Sequence, residues 1–167
     1  MSTHHTASAA EVSLAEAFTK EHHEIDAAIE QYLAGGSDQE PLIRARPLLD
    51  ALDALRRHIY LEEEIVFPRL PQGTLMMPLM VMRREHGELW RRMDDLAAAF
   101  ADAGADPASI ERTCTDILAL LEVHNSKEEP IIYPYMDAGL EPEEQAVVRG
   151  MLAGASLPEG WICQALR

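Results

Sequence analysis

His58-Ile59-Tyr60-Leu61-Glu62-Glu63-Glu64-Ile65-Val66-Phe67-Pro68 and His124-Asn125-Ser126-Lys127-Glu128-Glu129-Pro130-Ile131-Ile132-Tyr133-Pro134 are one pattern written twice, 66 residues apart. Both fit H-x-x-x-E-E-x-I-[VI]-[FY]-P. A shorter pattern precedes each copy. Lys20-Glu21-His22-His23-Glu24-Ile25 and Arg84-Glu85-His86-Gly87-Glu88-Leu89 both fit [KR]-E-H-x-E-[IL], 64 residues apart. Two consecutive segments therefore repeat as the next two, and a fold built from them carries a pseudo-twofold axis.

Working outward, the motifs lie on stripes with helical spacing. Phe18, His22, Ile25, Ile29 and Tyr32 recur every three or four residues. So do Leu79, Met82, His86, Leu89, Met93, Leu96 and Phe100, and so do Ile110, Cys114, Ile117, Leu121, His124, Glu128 and Ile131. Leu48, Leu52, Leu55, His58, Glu62 and Ile65 form a less regular stripe. Such spacing puts each set on one face of a helix. Gly35-Gly36-Ser37-Asp38, Pro68 to Gly73, Gly104-Ala105-Asp106-Pro107 and Pro134 with Gly139 punctuate the stripes, with Asp106 placed to cap the helix that Pro107 begins. Pro47 and Pro78 each mark either a helix's first turn or a kink. The expected fold is all-α: an antiparallel, up-down four-helix bundle with an internal repeat over residues 11–140. Residues 1–10 are expected to be disordered. Residues 141–167 are expected to form a short helix and a tail containing Trp161.

Composition narrows the function. Of 167 residues, 47% are hydrophobic and 26% charged, as in ordinary globular domains. Lys and Arg number 14 against 29 Asp and Glu, a net charge of −15. That surface repels phosphate backbones and anionic lipid, so neither nucleic acid nor a membrane is an expected partner. The longest apolar run, Leu75 to Met82, is broken by Pro78 and is too short to span a bilayer. No secretory leader is visible at the start. Cys114 and Cys163 make no disulfide framework, and a cytoplasmic setting is expected.

The polar residues on the stripes carry the chemistry. His22, His58, His86 and His124 face inward together with Glu62 and Glu128, each of which stands one turn after a histidine. A buried carboxylate is costly unless it is paired or bound to a cation. Imidazole and carboxylate together form a transition-metal ligand set. Six donors exceed what one tetrahedral zinc takes, and they suit two metals: two histidines for each, with both glutamates bridging. His23 is the alternative to His22, and the repeat selects His22. His4 and His5 are read as surface residues. Glu63, Glu64 and Glu129 are expected to include solvated residues. Cys114 reads as core packing.

These motifs resemble the hemerythrin-like, or HHE cation-binding, family over about residues 12 to 137. The resemblance implies a non-haem di-iron site in a four-helix bundle. There are departures: oxygen-carrying members have a fifth histidine where Trp90 stands, and they take their last carboxylate from an aspartate five residues after the fourth-helix histidine. The chain is closer to the four-histidine, two-glutamate members linked to nitric-oxide stress and iron–sulfur repair. Asp26, Trp90, Tyr60 and Tyr133 stand near the ligands in sequence, as supporting or packing residues. The expected cofactor is a pair of iron ions with an oxygen bridge, with zinc or manganese as substitutes. The expected partner is a small diatomic or peroxidic ligand; a homodimer or protein partner is left open. Whether the chain is an enzyme is also open: the readings are a di-iron oxidoreductase, an oxygen or redox sensor or iron buffer, and a structural zinc-bound or metal-free bundle.

Overall fold

The computed structural model describes residues 12–35 and 41–167, apart from the Leu42 side chain. The segment 1–10, with His4 and His5, and the turn residues Gly36, Ser37 and Asp38 lie outside the described residues. Six helices follow: α1 (Leu14–Ala34), α2 (Pro41–Leu61), α3 (Gln72–Ala101), α4 (Pro107–Ile131), the short α5 (Met136–Gly139) and α6 (Pro142–Leu152). α1 packs on α2 and α4, and α3 packs on α4 and α2, which closes a four-helix bundle.

The ends explain themselves locally. Ser13 accepts the Glu16 N–H, and Asp137 of α5 accepts the Leu14 and Ala15 N–H groups, so the start of α1 is tied to the far end of the bundle. Asp106 caps α4 from the Ala108 N–H, with Pro107 in the first turn, as its sequence implies. Glu141 and Glu144 form a capping box on α6. Pro47 and Pro78 both prove to be helix-interior residues, because α2 and α3 begin six residues before them, at Pro41 and Gln72.

Two helix ends differ from expectation. The second helix does not run as α-helix to Pro68: Glu62–Val66 is a π-helical turn, closed by the Phe67 N–H to the Glu62 carbonyl, and Phe67–Arg69 is 3-10 helix. The extra residue per turn rotates Glu62 and Glu63 inward side by side, a use of π-turns common at functional sites. The fourth helix stops at Ile131, and Tyr133–Tyr135 is 3-10 helix. The inward face slips by one residue there: Ile131 is 44% exposed and Ile132 fully buried.

The stripes face inward otherwise, and they form two apolar clusters rather than one. Ile25, Ile29, Leu52, Leu89, Met93, Cys114 and Ile117 belong to one. Phe18, Leu61, Phe67, Leu79, Met82, Ile132 and Tyr133 belong to the other. The buried histidines and glutamates are on the same stripes as both clusters.

The tail folds back on the bundle. Trp161 donates to Glu64 and packs against Tyr60 and Trp90, and the Gln164 N–H bonds Glu63. Gly87 permits this approach: a Cβ there would lie 2.9 Å from the Ala165 Cβ. Gly87→Ala is therefore expected to lift residues 161–167 at a cost of about 1–3 kcal/mol. The measurements are a thermal melt and Trp161 emission, which should shift to the red; an unshifted spectrum would contradict this packing.

Candidate metal centre

Each helix of the bundle supplies one buried histidine: His22 from α1, His58 from α2, His86 from α3 and His124 from α4. Each histidine's Nδ1 meets a carboxylate from a neighbouring helix. Glu21 of α1 holds His58 at 3.0 Å, and Glu63 in the π-turn holds His86 at 2.6 Å. Glu85 of α3 holds His124 and Glu129 of α4 holds His22, both at 3.0 Å. The four contacts run once round the bundle and obey its twofold repeat. An imidazole that donates from Nδ1 presents the Nε2 lone pair inward.

All four Nε2 atoms point at two buried carboxylates. Glu62 Oε2 lies 3.5 Å from His58 Nε2, and Glu62 Oε1 lies 3.3 Å from His86 Nε2. Glu128 Oε1 lies 3.3 Å from His22 Nε2, and Glu128 Oε2 lies 3.2 Å from His124 Nε2. Each carboxylate thus gives one oxygen to each of two donor groups. The groups are His22, His58, Glu62 and Glu128, and Glu62, His86, His124 and Glu128; within each, the donor atoms lie within 4.8 Å of one another.

The donors fit cations. His22 and His58 bring Nε2 atoms within 3.0 Å, a close approach of lone pairs when both Nδ1 atoms donate outward. In the other group, Glu62 Oε1, His86 Nε2 and Glu128 Oε2 are buried without a hydrogen-bond partner. Orphaned acceptors of this kind are rare unless an ion satisfies them.

Without metal, protons take up the strain. Burial disfavours charge on His58, but the Glu62 and Glu21 carboxylates outweigh it and raise its pKa to about 10. His124 is likewise raised to about 10 against its burial, by Glu128 and Glu85, and His86 is raised against its burial by Glu62 and Glu63. Burial favours protonation of Glu62 and Glu128, as does the Glu128 charge for Glu62, yet the facing histidines keep both below the ordinary carboxylate value. Burial and the same two carboxylates raise the Tyr133 phenol well above its usual value.

The other sequence candidates divide. His23 is exposed, whereas His22 is buried. Glu64 is solvated, whereas Glu63 and Glu129 are not surface residues in role: they orient His86 and His22. Glu21 and Glu85 do the same, and sequence reasoning passed over all four. The signal was present, since Glu21/Glu85 and Glu63/Glu129 are repeat-equivalent positions. Tyr133 enters the cluster, while Tyr60 packs on Trp161 and makes no hydrogen bond to the cluster. Trp90 packs on Trp161 beneath the Arg56 guanidinium. Asp26 makes no hydrogen bond to these histidines; burial raises its pKa, although His22 opposes the shift.

Glu21→Gln tests the supporting ring. Loss of a carboxylate behind a metal-binding histidine costs about 10- to 100-fold in metal affinity. A competitive zinc titration is expected to show that loss with the helical circular dichroism unchanged. Glu24→Gln, at an exposed neighbour paired among the described residues with Lys20, is expected to change nothing.

A helical bundle with two buried His/Glu donor groups defines a metal-binding protein. The chain belongs to a particular family of these: the model of the hemerythrin HHE cation-binding domain matches residues 13–136. No curated protein and no solved structure matches the chain significantly. Among the described residues, no helix is long and apolar enough to cross a membrane.

Proposed function

We propose that this is a non-haem di-iron protein that handles a small ligand such as oxygen, nitric oxide or peroxide in redox or nitrosative stress. His22 and His58 hold one ion, His86 and His124 hold the other, and Glu62 and Glu128 bridge them. The observation that carries this reading is the division of each carboxylate, one oxygen toward each histidine pair. A pair of ferrous ions supplies two electrons to oxygen or peroxide, or one to each of two nitric oxide molecules.

The chain's own residues prepare the site. Glu21, Glu63, Glu85 and Glu129 fix the imidazole orientation and keep Nε2 free for metal. Phe18, Met82, Phe67 and the neighbouring apolar side chains limit access of bulk water to the donors. A surface cleft of about 380 Å³ has Tyr133 and Glu129 in its wall, and none of the six donors lines it.

The test is metal content with the visible spectrum, as purified and after anaerobic ferrous reconstitution. About two irons per chain with oxo-bridged absorption is the expected result for a carboxylate-bridged bundle site. Less than about one iron per chain after reconstitution would overturn it. Steady consumption of nitric oxide or peroxide by the loaded protein marks an oxidoreductase. A spectral change without turnover marks a sensor or an iron buffer.

A further inference from the structure

Tyr133 is 1% exposed, and its Oη lies 2.9 Å from four atoms at once: His22 Nε2, His58 Nε2, Glu62 Oε2 and Glu128 Oε1. Hydrogen bonding alone does not account for this. A phenol has one proton to donate and two lone pairs with which to accept. Ionised carboxylates only accept, so that proton serves Glu62 or Glu128, and the other oxygen faces a phenol lone pair. The Nε2 atoms of His22 and His58 add two more lone pairs when their Nδ1 atoms donate to Glu129 and Glu21. With both imidazoles neutral, as metal binding requires, five electron-rich atoms converge around one proton.

The spacing is that of a coordination sphere. Octahedral bonds of about 2.1 Å place neighbouring ligand atoms about 2.9–3.0 Å apart. The four 2.9 Å distances match that edge, and His22 to His58 at 3.0 Å matches it too. His22 to Glu128 at 3.3 Å and His58 to Glu62 at 3.5 Å are looser edges of the same four-atom base. Oη is 2.9 Å from each of these four atoms.

We propose that Tyr133, as phenolate, is the fifth protein ligand of the ion held by His22, His58, Glu62 and Glu128; this rests on the two-metal reading above. On loading, the phenolic O–H bond breaks, the oxygen–iron bond forms and the proton leaves to solvent; no electron moves. The internal repeat makes the consequence specific. The counterpart of Tyr133 is Phe67, which stacks on His86 as Tyr133 stacks on His22, with ring centroids 5.8 Å and 5.4 Å apart. A phenyl ring has no donor atom. The ion between His86 and His124 therefore has one protein ligand fewer, and the exogenous ligand binds there.

Resonance Raman spectroscopy of the oxidised, iron-loaded full chain tests this, with elemental analysis on the same sample. The unaltered protein is expected to show a visible phenolate-to-ferric band and enhanced ring modes that shift when ring-deuterated tyrosine is incorporated. Tyr133→Phe is expected to keep about two irons per chain and lose both signals. Azide, used as the probe ligand, is expected to bind Tyr133→Phe at one further position and to bind Phe67→Tyr at least 10-fold more weakly. About two irons per chain with no phenolate signal overturns the Tyr133 assignment and spares the two-metal centre, as does a phenolate signal that survives in Tyr133→Phe. Less than about one iron per chain overturns both. Should Tyr133→Phe fail to fold, the labelled unaltered protein decides alone, because among the four tyrosines only Tyr133 touches the donor cluster.

Discussion

Glu128→Ala is expected to abolish iron binding at both positions, from about two irons per chain to less than about 0.5 after reconstitution. The size of the effect follows from where the carboxylate stands. Glu128 is fully buried, with one oxygen 3.3 Å from His22 and the other 3.2 Å from His124. Each donor group loses a ligand, and the negative charge that offsets two cations falls by one. A supporting residue such as Glu21 touches one histidine alone, so its loss weakens affinity without removing a ligand. The alanine variant also leaves the charged His124 facing a void, and removing one partner of a buried ion pair costs about 3–5 kcal/mol. Glu128→Gln separates the two effects. It retains the shape and one oxygen, so the bundle should stay helical while iron content still drops, and the melting temperature should no longer rise when ferrous salt is added. A glutamine variant that still binds about two irons with unchanged affinity would remove Glu128 from the bridge.

The fold was legible because its apolar stripes and its candidate ligands obey one repeat. Phe18, His22, Ile25 and Ile29 are all buried at the positions that a 3.6-residue period assigns. The same repeat separated His22 from His23, a choice that composition and propensity could not make. What was not legible depends on departures from the regular helix. The π-turn at Glu62–Val66 gives no signature in hydrophobic period, yet it turns Glu63 away from water and onto His86. The one-residue slip at Ile131 and Ile132 has the same origin: the backbone leaves α-helical geometry just as the stripe is about to end. Tyr133 follows that slip. Reading the tyrosine at a helical period gives its position along the chain but not the direction of its ring. The tail was beyond reach for a different reason: its docking depends on the missing Cβ of Gly87 and on tertiary contacts among Trp161, Trp90 and Tyr60.

The ring of carboxylates and histidines also explains how a polar layer is tolerated in so small a core. Every buried imidazole spends its outer nitrogen on a partner from the next helix, so the four helices are held in register as well as in contact. Lys127 closes against Glu85, where its charge and the His124 hydrogen bond overcome the effect of burial and keep that carboxyl below its ordinary value. The inner nitrogens and Glu62 and Glu128 remain as the candidate cation donors. Metal and protons therefore compete for the same electron pairs.

That competition sets a pH dependence of opposite sign in the two states. In the metal-free protein, His58 and His124 titrate at about 10, and His86 is raised as well. Unfolded histidine titrates near about 6.5. Their ion pairs thus contribute full stability below about pH 6.5, and that contribution is lost as pH rises through about 10. Glu62 and Glu128, both lowered, act at the other end: their contribution is present above the unfolded carboxylate value and is lost as pH falls through their folded ones. Metal-free stability is therefore expected to be greatest between about pH 4.5 and 6.5 and to decline toward pH 9. Metal binding needs neutral imidazole, so loading at pH 7 must expel at least the protons on His58 and His124. Apparent affinity for each ion is then expected to rise at least about 10-fold per pH unit near neutrality, roughly 100-fold from pH 6 to pH 8. Zinc titrations against a competing chelator at those two pH values measure the slope, and proton release into a weakly buffered solution at pH 7 counts the protons directly. Melts of the metal-free and loaded protein should diverge as pH rises, because the bound ion adds stability in proportion to the logarithm of its affinity. Release of fewer than about one proton per chain on loading would mean that the inner nitrogens are not the metal's ligands.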